Sequence, residues 1–287
     1  KLLDGSFGNA KFHVGSEANQ TITVTTGNAS GDNLGSHRLS TRSEGLAVTN
    51  AAAATTGWGT GDLTINGSKG SATATIATGA TAKAAAAAIN GKTVDTGVTA
   101  SAYTKVEMSV TGTGNFKFTL GTSSASATIS ASVTDITDLS DMVDAINDQS
   151  STTGVTAALN DAGDKVILEQ ASGDTIQLVR TDTDTDNFSA TVLNQDGTAG
   201  LGGAQIIEAA GNDDFAEFKG YVLMESDKAF SVGTAGIGAV ATDFLGNALT
   251  SNLKKVSDID LKTQTGANDA LSVIDKAIAK VDSIRGK

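Results

Sequence analysis

Neither cysteine nor proline occurs among the 287 residues. Without cysteine the chain can form no disulfide scaffold, no thiolate metal site and no cysteine nucleophile. A chain of this length ordinarily carries roughly 14 prolines, so their absence is a compositional habit rather than chance. Aromatic residues make up only 4%, with Trp58 the single tryptophan. Two histidines, His13 and His37, are too few for a multi-histidine metal centre. No apolar run approaches the roughly 18 residues of a membrane-spanning helix. Positive charge is also scarce: 20 Lys and Arg stand against 32 Asp and Glu, for a net charge of −12. That balance argues against nucleic acid as a partner, since phosphates need cations. The chain shows neither an initiator Met nor the charged start, apolar centre and cleavage site of a signal peptide, so it is expected to be a fragment of a longer protein.

In place of the missing residues stand 39 Thr, 26 Ser and 33 Gly. Residues 11–26 alternate apolar and polar on either side of Gly15 to Asn19. Phe12 and Val14 precede that turn and Ile22 and Val24 follow it, which predicts a β-hairpin. Residues 27–62 show no lasting period and read as a connector with short pieces of structure. The segment 181–214 is again polar and Gly-rich. Residues 215–232 predict strands with a turn near Glu225 to Lys228, and 233–257 is small and mixed.

Between these lies an internal repeat. Ala88-Ile89-Asn90 recurs as Ala145-Ile146-Asn147, and Thr96-Gly97-Val98-Thr99-Ala100 recurs as Thr153-Gly154-Val155-Thr156-Ala157. Both offsets are 57 residues. Each copy predicts a strand, a short helix, a Gly-containing turn and then strands. In the first copy the strand is 62–66, the helix about 80–90, and the later strands about 97–110 and 115–120. In the second, a strand at 127–133 precedes a helix at about 138–147, followed by strands at 154–159, 165–169 and 175–180. Leu139, Met142, Val143 and Ile146 form the apolar face of that second helix. Asp138 is its expected N-cap, with Asp141 near the positive end of the helix dipole.

The clearest helix closes the chain. From Asp269 to Arg285, Leu271, Ile274, Ile278 and Val281 step by 3, 4 and 3. That is a short, regular coiled-coil seam. Thr263 or Thr265 is placed to cap its start, and Lys276, Lys280 and Arg285 suit its C-terminal half. These four apolar side chains need an apolar partner, and an uncovered stripe is expected here.

Candidate chemistry is sparse. Asp182, Asp184 and Asp186 alternate as calcium ligands do, but an EF-hand loop needs Gly at 187 and Glu at 193, where Asn187 and Leu193 stand. The stretch reads as a solvated turn, and no metal site is expected. Asp135, Asp138, Asp141, Asp144 and Asp148 follow helical spacing and read as a polar helix face. Asp213, Asp214 and Glu217 fall too close together on a strand to pair as glycosidase carboxylates, because neighbours point to opposite faces. Gly57-Trp58-Gly59-Thr60-Gly61 lacks the Lys-Ser/Thr of a phosphate loop and reads as a turn, with Trp58 a packing residue. Ala84 to Ala88 is a helix former. No catalytic residue and no cofactor are expected.

Both ends of the chain resemble bacterial flagellin. Lys1-Leu2-Leu3-Asp4-Gly5-Ser6-Phe7, Phe12-His13-Val14-Gly15 and Asn19-Gln20-Thr21-Ile22 resemble the segment after that family's first long helix. Val256-Ser257-Asp258-Ile259-Asp260-Leu261, Ala270-Leu271, Ile274-Asp275 and Val281-Asp282-Ser283-Ile284-Arg285 resemble its return helix. The repeat resembles the hook IN motif. The resemblance implies an α+β fold. Residues 1–43 and 250–287 would form a discontinuous helical inner domain with a β-hairpin. Residues 44–249 would form an inserted, β-rich outer region with short helices, its repeats at about 62–120 and 127–180. It implies an extracellular structural subunit of the flagellar filament that self-assembles with other flagellin subunits for motility. It implies further that polymerising termini precede Lys1 and follow Lys287. The competing reading is a cell-surface adhesin or polysaccharide-binding module, with a surface glycan or host receptor as partner. A polyanionic glycan fits the negative charge poorly.

Overall fold

The computed structural model describes residues 9–15, 20–25, 28–48, 61–181, 188–207, 215–233, 245, 249–262 and 264–285. It divides into two compact units. The smaller comprises Lys1–Arg38, Glu225–Ser231 and Thr250–Lys287, and the larger Leu39–Met224 and Val232–Leu249. No helix among the described residues is long and apolar enough to cross a membrane.

The chain begins with strands β1 (Asn9–His13) and β2 (Thr21–Thr25). They pair antiparallel with Phe12 opposite Ile22, the expected hairpin. The stretch read as a connector holds two strands, β3 (Gly35–Ser40) and β4 (Glu44–Val48). Their sequences, GSHRLS and EGLAV, offer little apolar alternation. In β3 even Ser36 and Arg38 are buried, so context rather than pattern makes the strand.

The first repeat copy runs through β5 (Gly61–Asn66), β6 (Ser71–Ile76), helices α1 (Ala82–Asn90) and α2 (Thr93–Thr96), and β7 (Thr99–Val110). The second runs through β8 (Gly114–Gly121), β9 (Ser126–Val133), α3 (Ser140–Asn147), α4 (Ser150–Thr153) and β10 (Thr156–Leu159). Each copy is therefore an antiparallel hairpin, two helices and a strand. The second hairpin strand of the first copy and the one-turn helices exceed what the sequence predicts.

The repeated residues hold the copies together in the same way. Asn90 Nδ2 donates to Ala100 O at 2.7 Å and its Oδ1 accepts from Ala100 N at 2.8 Å. Asn147 does the same to Ala157, at 2.9 and 2.8 Å. Each Asn thus ties a helix end to the returning strand through both polar atoms of one backbone residue. Thr96 and Thr153 donate to Lys92 O and Gln149 O and accept from the N–H of Val98 and Val155. Gly97 and Gly154 end the one-turn helices at φ 76° and 70°, the left-handed region in which a Cβ is strained. Ile89 and Ile146, and Val98 and Val155, are fully buried in both copies. The larger copy-two core grows by substitution at equivalent sites: Ala82 and Ala85 in the first copy stand where Leu139 and Met142 stand in the second, all buried.

Asp138 is not the N-cap. Leu139 occupies that position, and Asp138 lies one residue earlier, where its Oδ1 accepts from Ser140 N at 3.1 Å. The carboxylate therefore still serves the helix start, and its hydrogen bonds with Ser140 hold it below the usual carboxylate range. Thr81 does cap α1, accepting from Ala84 N.

After β10 come β11 (Val166–Gln170), β12 (Ile176–Arg180), β13 (Phe188–Leu193), β14 (Ala199–Ile207), β15 (Phe215–Lys219), β16 (Tyr221–Ser226) and β17 (Ser231–Gly233). β13 and β14 fall in the segment read as polar and Gly-rich. In the large sheet the strands of the larger unit run β16-β7-β13-β14-β4-β15-β12-β8-β9, and β11 joins β7. β7 is the hub. Its first residues close copy one, and from Thr104 onward it pairs with β11 and with β13. Phe116, Phe118, Leu178, Phe188 and Phe218 fill the core of this larger unit. Each contributes roughly 1.5–3 kcal/mol by burial. Arg180 is only 4% exposed, and its guanidinium lies 5.5 Å from the ring centroids of both Phe116 and Phe188. Its charge is thus sandwiched by aromatic faces.

The smaller unit contains the β1–β2 hairpin. It also contains β18 (Asn252–Lys255), which pairs antiparallel with Gly35–Arg38 of β3. A 3₁₀ turn at Val256–Asp258 leads toward the closing helix, α5 (Gln264–Arg285). This helix starts five residues before the expected Asp269. Thr265 lies inside it, and Thr263 falls outside the described residues.

Candidate assembly surface

α5 has two apolar faces. Ala270, Val273 and Ala277 are 3%, 0% and 6% exposed. Leu271, Ile274 and Ile278 are 66%, 42% and 55% exposed, and Val281 is half-buried. The regular seam read from the sequence is thus largely the outer face of the helix. The face against the rest of its unit is built from smaller residues that attract less attention in a hydropathy pattern.

Polar contacts fix that inner face. Arg38, 8% exposed, reaches Glu225 Oε1 through Nε at 2.6 Å. Its Nη2 donates to Asp269 O at 3.1 Å, and Nη1 makes an ionic contact of 3.1 Å with Asp269 Oδ2 that falls short of hydrogen-bond geometry. Ser36 donates to Glu225 Oε1 at 3.2 Å and Ser272 to Glu225 Oε2 at 2.5 Å. At the other end of the helix, Lys280 Nζ donates to Asn33 O at 2.7 Å. These residues escape sequence reading because Arg38 and Glu225 stand 187 positions apart and Arg38 and Asp269 231.

His37 sits beside this network, half-buried, with Nδ1 enclosed and lacking a partner among the described residues. Burial and then the Lys280 ammonium lower its pKa from the ordinary 6.5, while Asp227 pulls it back. His13, by contrast, is exposed on β1.

The β1–β2 hairpin of the same unit also leaves apolar residues uncovered. Phe12, Val14 and Ile22 are 49%, 58% and 55% exposed. A two-stranded hairpin is marginal alone, so such a face calls for a covering partner.

The other residues singled out by sequence gather into no reactive site. Asp135 and Asp138 lie before α3, Asp141 and Asp144 along it and Asp148 at its C-terminal end, so they form no single helix face. Glu217 lies on β15, 4.0 Å from Lys219 Nζ, and burial raises its pKa. Asp213 and Asp214, Asp182, Asp184 and Asp186, and Trp58 with Gly57, Gly59 and Thr60 lie outside the described residues. Among the described residues no cluster of three or more His, Asp or Glu side chains is placed to hold a metal. An open recess of about 390 Å³ is lined by polar groups including Ser40, Arg42 and Asp196. The amide of Asn194 on its rim is already bonded to Ser43, Thr198 and Ala199.

Comparison with known proteins finds similarity to flagellar proteins. The flagellin hook IN motif matches residues 62–114 and 115–172, the two copies described above. The B-type flagellin of Pseudomonas aeruginosa is 31% identical over 290 aligned positions, which cover 99% of this chain. The chain spans 58% of that relative's length. Among solved structures, the flagellar cap protein FliD from Helicobacter pylori aligns over 78% of this chain and 84% of its own, at 9% identity and a TM-score of 0.23. The D2-D3 domains of FliD from Escherichia coli align over 67% and 98%, at 14% identity and a TM-score of 0.21. Scores of that size are below those of a shared fold. The tandem hook IN motifs and the match along nearly the whole chain make this protein similar to flagellins over the span they cover.

Proposed function

We propose that this chain belongs to a structural subunit of the bacterial flagellar filament, located outside the cell and assembling with copies of itself for motility. The observation that carries this reading is the uncovered stripe of Leu271, Ile274 and Ile278 on a helix whose opposite face is held by contacts of Asp269 and Ser272 with the buried Arg38–Glu225 pair. An apolar row at seam spacing on a rigid helix fits a helical partner. The inner domain is assigned to residues 1–43 and 250–287, and the outer region to 44–249. The subunit works by packing, without catalysis, cofactor or metal. Its partners are other flagellin subunits. The alternative adhesin role draws little support from the recess beside Asn194, whose amide is already satisfied internally.

Two experiments test this. Gold-tagged antibody against the chain should decorate filaments along their length on cells of the source bacterium. Label confined to the cell body would defeat the reading. In the full-length subunit, Leu271→Glu with Ile278→Glu should abolish filaments while secreted subunit is still detected. Normal filaments from that variant would remove the stripe from the assembly surface.

A further inference from the structure

The two apolar faces of α5 differ by one residue step at all three positions: 270 and 271, 273 and 274, 277 and 278. One step along an α-helix is a rotation of about 100°. A roll of that size would place Leu271, Ile274 and Ile278 where Ala270, Val273 and Ala277 now sit. Apolar burial alone favours the rolled state, since Leu and Ile present more surface than the two Ala and the Val they would replace. The structure nevertheless shows the smaller face inward.

The polar contacts oppose the roll. In the rolled state Ala270 and Val273 would face Arg38 and Glu225 in place of Asp269 and Ser272. Arg38 would lose its ionic contact with Asp269, and Glu225 its short bond from Ser272. Both charges are 8% exposed, and taking partners from buried charges is costly. We propose that Arg38, through Glu225 and Asp269, is a positioning residue that sets the rotation of α5 and so keeps the larger apolar row outward. The rotation itself is independent of the assembly role. Only the purpose of the outward row rests on that reading.

The absence of cysteine makes the test clean. Single-cysteine variants Val273→Cys and Ile278→Cys are labelled with a maleimide in the 287-residue chain, each with Arg38 and with Arg38→Met. With Arg38 in place, position 278 should label at least about tenfold faster than 273, as protection of a buried site implies. With Arg38→Met the ratio should reverse, while circular dichroism shows the helix retained. An unchanged ratio overturns the proposal. So does an equal rise at both sites, which would mean that Arg38 merely holds the helix down. Should Arg38→Met fail to fold, Asp269→Asn with Ser272→Ala removes the helix-side partners, and the same ratio decides. Filament formation by full-length Arg38→Met separates the two readings. Reversed labelling with normal filaments would keep the latch and refute the role of the stripe. Unchanged labelling refutes the latch whatever the filaments do, and the stripe is then judged by the Leu271→Glu with Ile278→Glu variant.

Discussion

Asn90 and Asn147 each spend a whole amide on one backbone residue of the following strand. Removing either side chain leaves a part-buried N–H and C=O to find other partners. Asn147→Ala should therefore cost about 2 kcal/mol, seen as a lower urea midpoint with unchanged slope. Asn147→Asp keeps the acceptor but sets a carboxylate oxygen against the Ala157 carbonyl, and should destabilise at least as much. His37 gives a pH dependence. Its native pKa lies below the unfolded value, so the unfolded state takes the proton more readily as pH falls. The stabilisation is complete above about 6.5 and is lost as pH drops through the lowered native value. The melting temperature of the wild type should decline on acidification through this window more steeply than that of His37→Gln. Equal slopes would dismiss the imidazole. At this scale the sequence marked these asparagines as repeated, because two copies share one offset, but did not show what they bind. It was silent about Arg38, whose neighbour Ser36 and partners Glu225 and Asp269 come together only through β3, β16 and α5.

Helices and strands were legible where period or repetition marked them. α3 shows its apolar face plainly, and β7, β11 and β12 fall where alternation predicts. β3, β4 and β14 do not announce themselves. Their buried positions include Ser36 and other small or polar groups, and β14 is Gly-rich, so pairing with neighbouring strands supplies the order that side chains do not. The seam of α5 was visible, but which way it faces was not. A 3-4-3 step reveals a stripe, whereas orientation depends on the buried contacts beneath the opposite face. The turn that ends each one-turn helix offers an element-level prediction. Gly154→Ala forces a Cβ into φ 70° and should lower stability by about 1 kcal/mol, measured by urea titration. Gly79, with a positive φ and open space around it, is the control for strain without a helix end to protect.

The whole chain carries a net charge of −12. Stacking such chains side by side gathers like charge, and salt screens it over about 10 Å at 0.1 M. On the proposed filament role, assembly of the full subunit should therefore speed up as sodium chloride rises from low to moderate concentration, followed by light scattering from added filament seeds. A rate that falls with salt would point to opposite charges meeting across the interface.

β7 closes the first copy and then lends its remaining length to β11, within the second matched span, and to β13 beyond it. The end of one copy is thereby the foundation for its successors. Copies linked in this way can be added or lost as cassettes, since a newcomer brings its own hairpin, clamp and closing strand and asks only for a strand to build on. A chain built so can lengthen by whole copies without redrawing the strands already in place.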